Sequence, residues 1–383
     1  MYVIIHSFSY VYIMNKLAFC YIIIYSKKEV RNMINLKNDY CGIAHKKVLD
    51  KLMSYQNETF NSYGLDHVSE NAKQIIKKLL KNDNVDIHFI IGGTISNKAV
   101  IHHCLQTFEA VICCDTGHIN VHETGAIEAT GHKVIAVPNV NGKLTPEEIR
   151  KAYKLHTDEH MVKPKMVYIS NSTETGTVYT KQELQDIHDL CSELDLLFYM
   201  DGARLGCALT SNKCDYQFED LTKLVDVFYI GGAKNGEAVV IVKEEIKKDF
   251  RFMIKHLGAM YSKGFVAGIN FEALFEDGLF FDIAKKENEQ AQILYNELLK
   301  LGVKFDIVPE TNQIFPIFKT NDVDKLSKYI SFEVWERNDD ETTIRFVTNY
   351  MTTDEDIYKT IKIVEENENE ENKEENEEEN LIL

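Results

Sequence analysis

Lys234 sits at the end of an apolar run in Tyr229-Ile-Gly-Gly-Ala-Lys-Asn-Gly236, hemmed by small residues. A lysine in such a place can bond a carbonyl carbon, because desolvation and neighbouring cations activate its amine. Upstream, the apolar run 196–200 ends in Asp201-Gly-Ala-Arg204, a carboxylate followed by a guanidinium. A lysine for an aldehyde, an aspartate for a ring nitrogen, and a cation or N–H groups for a phosphate are what pyridoxal phosphate requires. Taken singly, each residue has a plainer reading: Lys234 as a solvated loop lysine, Asp201 as a cap, Arg204 as its ion-pair partner. The pairing is what points to the cofactor.

Three further segments supply groups of matching chemistry. Gly92-Gly93-Thr94 joins a strand to a helix, where bare backbone and free N–H groups can cradle a phosphate; a plain tight turn is the alternative. Asp115-Thr-Gly-His118-Ile-Asn-Val-His122-Glu123 packs two histidines and a glutamate into one short stretch. Its order does not match H-E-x-x-H, so no metal is expected there. An imidazole stacked on an aromatic cofactor and able to take a proton suits His118, with a capping or surface histidine as the other reading. Arg345 lies in the alternating run Thr343-Ile-Arg-Phe-Val-Thr348, where a bidentate grip on a carboxylate would justify it; an exposed edge strand would do so too.

The elements that must position these groups read as an α/β alternation. Apolar runs of strand length at 87–91, 110–114, 133–137, 165–169, 196–200, 225–230 and 238–242 alternate with helix-patterned text, as in a sheet covered on both faces. In such sheets ligands bind beyond the carboxyl ends of the strands, which is where the candidate residues fall. Helices are expected at 94–106 and at 180–194, the latter opening on a Thr180…Glu183 capping box. After residue 243 comes a long amphipathic helix over 271–302, then strand-like pieces at 315–318 and 343–347. Residues 33–81 read as helical. The domain expectation is an N-terminal segment 33–85 packing with a small α+β domain 251–364, and a large domain 86–250.

The chain ends are different in kind. Residues 1–32 are strongly apolar but interrupted, short of the ~18–20 apolar residues that a bilayer core demands. They read as an extension outside the working protein, with Met33 as its effective start; weak membrane anchoring or export is the alternative. Residues 365–383 form a Glu/Asn tail expected to stay solvated. Residues 365–380 hold ten glutamates and one lysine, so nine of the seventeen net negative charges lie in that tail. The remaining body is only mildly acidic, which gives no footprint for nucleic acid or for a stable association with an anionic membrane. Eight scattered cysteines without a C-x-x-C pair read as free thiols of a cytoplasmic protein.

In this order the motifs resemble those of the threonine aldolase and aromatic amino acid β-eliminating lyase family of pyridoxal-phosphate enzymes, from about residue 33 to 363. Asn38-Asp39, Tyr63-Gly64-Leu-Asp66, Gly92-Gly93-Thr94, Asp115-Thr-Gly-His118, Met200-Asp-Gly-Ala-Arg204, Gly231-Gly-Ala-Lys234 and Ile344-Arg345-Phe-Val-Thr348 carry the likeness. The resemblance implies the aspartate-aminotransferase-like fold (fold type I), with a large, mostly parallel seven-stranded sheet and a smaller α+β part. It implies Lys234 as the lysine bonded to the cofactor, Asp201 as partner of its ring nitrogen, and His118 stacked on the ring. Gly93 and Thr94 would hold the phosphate, Arg204 would lie beside the cofactor, and Arg345 with Asn38 would bind the substrate carboxylate.

The activity so implied is cleavage of L-threonine or L-allo-threonine to glycine and an aldehyde, by a homodimer or homotetramer acting on a small amino acid. A β-eliminating lyase or a catalytically impaired homologue is the alternative. Three departures from the family pattern stand out. Ala233 replaces a hydroxyl-bearing residue, the segment between Lys234 and the next strand is shortened, and Asn38 stands where many aldolases have serine.

Overall fold

The computed structural model describes residues 33–367; the expectations for residues 1–32 and for most of the acidic tail lie outside them. The chain begins with a two-residue strand β1 (Ile34–Asn35), then helices α1 (Lys46–Ser54) and α2 (His67–Leu80). Asp66 caps α2 by accepting from the Ser69 N–H at 2.8 Å, which satisfies one of the donors a helix start leaves open.

The main sheet has seven strands: β2 (Asp86–Ile90), β3 (Glu109–Cys114), β4 (Lys133–Val137), β5 (Lys163–Ser170), β6 (Leu197–Asp201), β7 (Val227–Gly231) and β8 (Glu237–Ile241). Their order is β2-β8-β7-β6-β5-β3-β4. Only β8 runs against its neighbours; the other pairings are parallel. Every residue of β3, β6, β7 and β8 is buried. Layers on both faces require such continuous apolar strands, and for that reason these four runs are readable in the sequence. One core lies on each face, the first around Phe198, Phe228 and Phe271, the second around Tyr168, Tyr199 and Tyr229.

Helix α3 (Gly93–Cys104) follows β2, the one-turn helix α4 (His118–Val121) follows β3, and α5 (Lys181–Glu193) follows β5. The capping box at Thr180 and Glu183 is present in both directions. The single helix expected over 271–302 is instead two, α6 (Phe265–Phe275) and α7 (Leu279–Lys300). Gly278 breaks them: its φ of +76° is a left-handed turn that glycine enters without Cβ cost.

A second, five-stranded sheet contains β9 (Lys304–Phe305), β10 (Gln313–Ile314), β11 (Pro316–Lys319), β13 (Glu333–Arg337) and β14 (Glu341–Val347). The short strand β12 (Ile330–Ser331) pairs in parallel with β1, so the start of the described chain is stitched to its C-terminal part. Residues 33–81, expected to be helical throughout, therefore begin with a strand, whose two residues are too few to leave a periodic signal.

Candidate active site

Two strand ends are locked together by bare backbone. A Cβ on Gly202 would stand 1.9 Å from the Tyr229 carbonyl oxygen, and one on Gly231 would stand 2.4 Å from the Ala203 carbonyl oxygen. Glycine at both positions therefore lets the loop after β6 lie on the end of β7. The connection from β7 to β8 is the tight turn 232–236, closed by the Gly232 N–H donating to Gly236 O at 2.9 Å. Lys234 sits at its tip with φ 64°, and Ala233 beside it has φ 50°. The left-handed region costs side-chain-bearing residues about 1–2 kcal/mol each, and here it turns the Lys234 ammonium toward the Ala203 carbonyl, 3.3 Å away.

A cleft of about 670 Å³ opens over this junction, lined by Lys234, Ala203, Arg204, His118, Trp335 and Arg345 among others. Arg204 is committed to a bidentate pair with Asp39, Nε to Oδ2 at 2.7 Å and Nη2 to Oδ1 at 3.0 Å. Lys234 Nζ lies 3.9 Å from the same carboxylate. Burial pushes the Asp39 carboxyl up, but Arg204 and Lys234 more than offset it and hold it at about 2. Asp39, named in the sequence only as the neighbour of Asn38, thus anchors two of the cleft cations.

Asp201 ends β6 beneath the cleft floor and is 3% exposed. Its Oδ2 accepts from Tyr168 Oη at 2.7 Å and from Asn97 Nδ2 at 3.0 Å, and its Oδ1 from the Ala203 N–H at 2.9 Å. Asn97 also donates to Glu123 Oε1 at 2.7 Å, and that oxygen lies 2.8 Å from His118 Nδ1. A carboxylate only accepts, so His118 Nδ1 carries the proton in this contact. Burial lowers the His118 imidazole, while Glu123 and Asp201 raise it, for a net upward shift. Glu174 fixes the backbone at this point by accepting from the His118 N–H at 2.8 Å.

Arg345 lies on β14 facing β13, and its Nη1 donates to Gln313 Oε1 at 3.4 Å. Its Nε is buried without a partner. Among the described residues no carboxylate lies within ion-pair distance of it. A guanidinium with unspent donors beside a cleft suits a planar carboxylate ligand. Trp335 lies at a bulge of β13, between Val334 and Glu336, and its ring stands 5.4 Å from the Arg345 guanidinium carbon. A bulge re-aims a side chain, here toward the cleft.

Gly93 and Thr94 start α3, whose N-cap Gly92 makes no side-chain capping bond. A Cβ on Gly93 would stand 3.0 Å from Tyr229 Oη, a tight contact that glycine avoids. Asn38 does not line the cleft. Its Oδ1 accepts from the Tyr40 N–H at 3.1 Å and its carbonyl from Asn349 Nδ2 at 3.2 Å, so the side chain shapes a turn that carries Asp39. Glu237 and Glu287, both buried, were not singled out from the sequence, which carries no sign of which glutamates are enclosed.

This donor set fits pyridoxal phosphate. Asp201 is a buried carboxylate with no cation within ion-pair distance among the described residues, and a protonated pyridine nitrogen would complement it. Lys234 opens on the same cleft, and the uncapped start of α3 offers N–H groups to a phosphate.

The seven-stranded, mostly parallel sheet with its cleft at the strand ends defines an α/β enzyme of the aminotransferase-like class, fold type I. At the level of fold alone, it is similar to Thermus thermophilus aspartate aminotransferase, with a TM-score of 0.64 at 14% identity over 90% of this chain and 96% of that one. The family is narrower. The beta-eliminating lyase family model matches residues 46–321, and the chain belongs to that family. It is 32% identical to the low specificity L-threonine aldolase of a Pseudomonas strain over 261 residues, 66% of this chain and 75% of that one. It is also similar to the threonine aldolase of Leishmania major, with a TM-score of 0.85 and 38% identity over 87% of this chain and 98% of that structure.

Proposed function

We propose that the chain is a pyridoxal-phosphate-dependent aldolase that cleaves L-threonine and L-allo-threonine to glycine and acetaldehyde. The observation that carries this reading is the convergence of Lys234, His118 and Arg345 on one cleft. When bound, the cofactor supplies an electron sink for the pair released at Cα. Lys234 would hold it through Nζ, Asp201 would face its ring nitrogen, and Gly93 and Thr94 would take its phosphate.

Arg345 would fix the substrate carboxylate by two parallel N–H bonds, which orients the amino acid without reading its side chain. His118 has Nδ1 engaged by Glu123, which leaves Nε2 to accept the β-hydroxyl proton. As that proton leaves, the Cα–Cβ bond breaks, the β-carbon departs as the aldehyde, and Cα gains a proton to become glycine. The Lys234 amine, which opens on the same cleft, would return it.

Assembly as a homodimer or homotetramer belongs to the same reading, supported by the exposed Tyr63, Leu65 and Phe252 that border one groove. Unpaired cysteines support a reducing, cytoplasmic setting. Incubation of the purified chain with pyridoxal phosphate and L-threonine should release glycine and acetaldehyde in equal amounts. Pyruvate and ammonia from serine- or cysteine-like substrates, without aldehyde from threonine, would instead establish β-elimination.

A further inference from the structure

One buried carboxyl beside the start of α3 has no part in the chemistry above. Glu237 opens β8 and is 4% exposed, and its Oε2 has no hydrogen-bond partner. Its Oε1 lies 3.9 Å from the position a Cβ on Gly93 would occupy, at the uncapped start of the twelve-residue helix α3. The free N–H groups and the positive end of the helix dipole attract an anion to that point. An ionised carboxylate beside them competes with that anion, whereas the neutral acid adds one more donor. Ala233, the residue before the lysine, has no hydroxyl to give.

The groups facing Glu237 come from every element around it. Lys234 of the turn, Asp201 of β6 and Asp39 of the N-terminal segment act on its carboxyl, and the Gly232 N–H reaches it. Tyr229 of β7 and Tyr261 beyond the sheet are close enough to feel its charge. Burial pushes the carboxyl up, Lys234 opposes, and Asp201 adds to the rise, placing it at about 8.

We propose that Glu237, as the neutral acid, donates a hydrogen bond to a phosphate oxygen held at the start of α3, and that its ionised form rejects the same ligand. The proposal rests on the reading of the chain as a pyridoxal-phosphate enzyme. It makes Glu237 the replacement for the absent hydroxyl, and it sets an alkaline limit on cofactor retention.

The test uses 4′-deoxypyridoxine 5′-phosphate, which lacks the aldehyde and cannot bond Lys234, titrated into the cofactor-free full chain across the range from neutral to alkaline. Wild-type affinity should hold until about pH 8 and then fall about tenfold per pH unit. Glu237→Gln, neutral and still a donor, should stay flat and bind about tenfold tighter than wild type one unit above that point. Pyridoxine, without a phosphate, should show no Glu237-dependent slope. If the variant fails to fold, the wild-type contrast between the phosphorylated and unphosphorylated probes decides. Parallel slopes in wild type and variant, or the same slope with both probes, would overturn the proposal. Binding of neither probe at any pH would overturn the cofactor reading itself and this inference with it.

Discussion

His118 and Asp201 are joined through two buried side chains. The imidazole Nδ1 is 2.8 Å from Glu123 Oε1, and Asn97 Nδ2 donates to that oxygen at 2.7 Å and to Asp201 Oδ2 at 3.0 Å. Tyr199 Oη in turn donates to Asn97 Oδ1 at 2.7 Å, which fixes the amide orientation. The imidazole proposed to take a proton and the carboxylate proposed to face a ring nitrogen therefore share one scaffold, with few free rotamers between them.

Glu123→Gln tests the role of that scaffold. The amide keeps an oxygen for the His118 Nδ1–H but removes the charge that helps to raise the imidazole, so its pKa should fall. An imidazole that accepts a proton must be neutral, and activity then rises as pH climbs through its pKa. The acid limb of kcat/KM should move to lower pH in the variant, with kcat at neutral pH down by about 10- to 100-fold for a charge-assisted bond worth ~1.5–3 kcal/mol. An unmoved acid limb would remove Glu123 from this role.

Asp39 makes a stability prediction with a defined pH window. Arg204 and Lys234 hold its carboxyl at about 2 in the folded chain, below the ordinary 3.8. Because the folded pKa is depressed, the stabilisation is complete above the unfolded value and is lost as pH falls through the folded one. The shift corresponds to about 2 kcal/mol. Asp39→Asn should cost about 3 kcal/mol at neutral pH, since it leaves Arg204 buried and unpaired. Denaturant midpoints of the two proteins measure the difference.

Glu287 predicts the opposite sign. Burial, reinforced by Asp39, pushes its carboxyl to about 8 from 4.5, and Cys207 Sγ donates to its Oε2 at 3.3 Å. Between those values the folded chain keeps a proton that the unfolded chain gives up. Stability therefore declines as pH rises through that window, by about 1.4 kcal/mol per unit, and levels off above it. Glu287→Gln retains an acceptor for Cys207 and should show a shallower decline, by several kcal/mol over the window. Denaturant midpoints at the two ends of the window would reveal it.

Arg345→Lys replaces a planar fork with a point charge. If Arg345 grips the substrate carboxylate, KM should rise about 10- to 100-fold with a smaller change in kcat. Trp335, the single tryptophan of the chain, stands 5.4 Å from the guanidinium. Its fluorescence should change when the wild-type protein binds a non-reacting amino acid, and the variant should need correspondingly more ligand. Equal titration curves would place the carboxylate elsewhere.

The parts of the molecule readable from sequence were those with a local signature. The central strands β3, β6, β7 and β8 announce themselves because burial on both faces leaves continuous apolar runs, and the Thr180 capping box is a four-residue pattern. The break at Gly278 was hidden in amphipathic text, and the two residues of β1 find their partner at Ile330 nearly the whole described chain away. Lys234, His118 and Arg204 were legible because they follow strand ends in one order, and Arg345 because a guanidinium inside an alternating apolar strand is costly unless paired. Asp39, Asn97, Glu237 and Glu287 were not, since an acidic or amide residue gains meaning only from what other elements bring against it. Asn38 shows the converse: its position in a motif suggested contact with a ligand, and its side chain is used by the Tyr40 amide.

The central claim is that Lys234 carries the cofactor, and borohydride treatment of the cofactor-loaded chain followed by peptide mapping tests it most directly. A single reduced pyridoxyl mark is expected on Lys234, absent in Lys234→Ala together with the visible absorbance of the bound cofactor. A mark on another lysine, or absorbance that survives in Lys234→Ala, would contradict it.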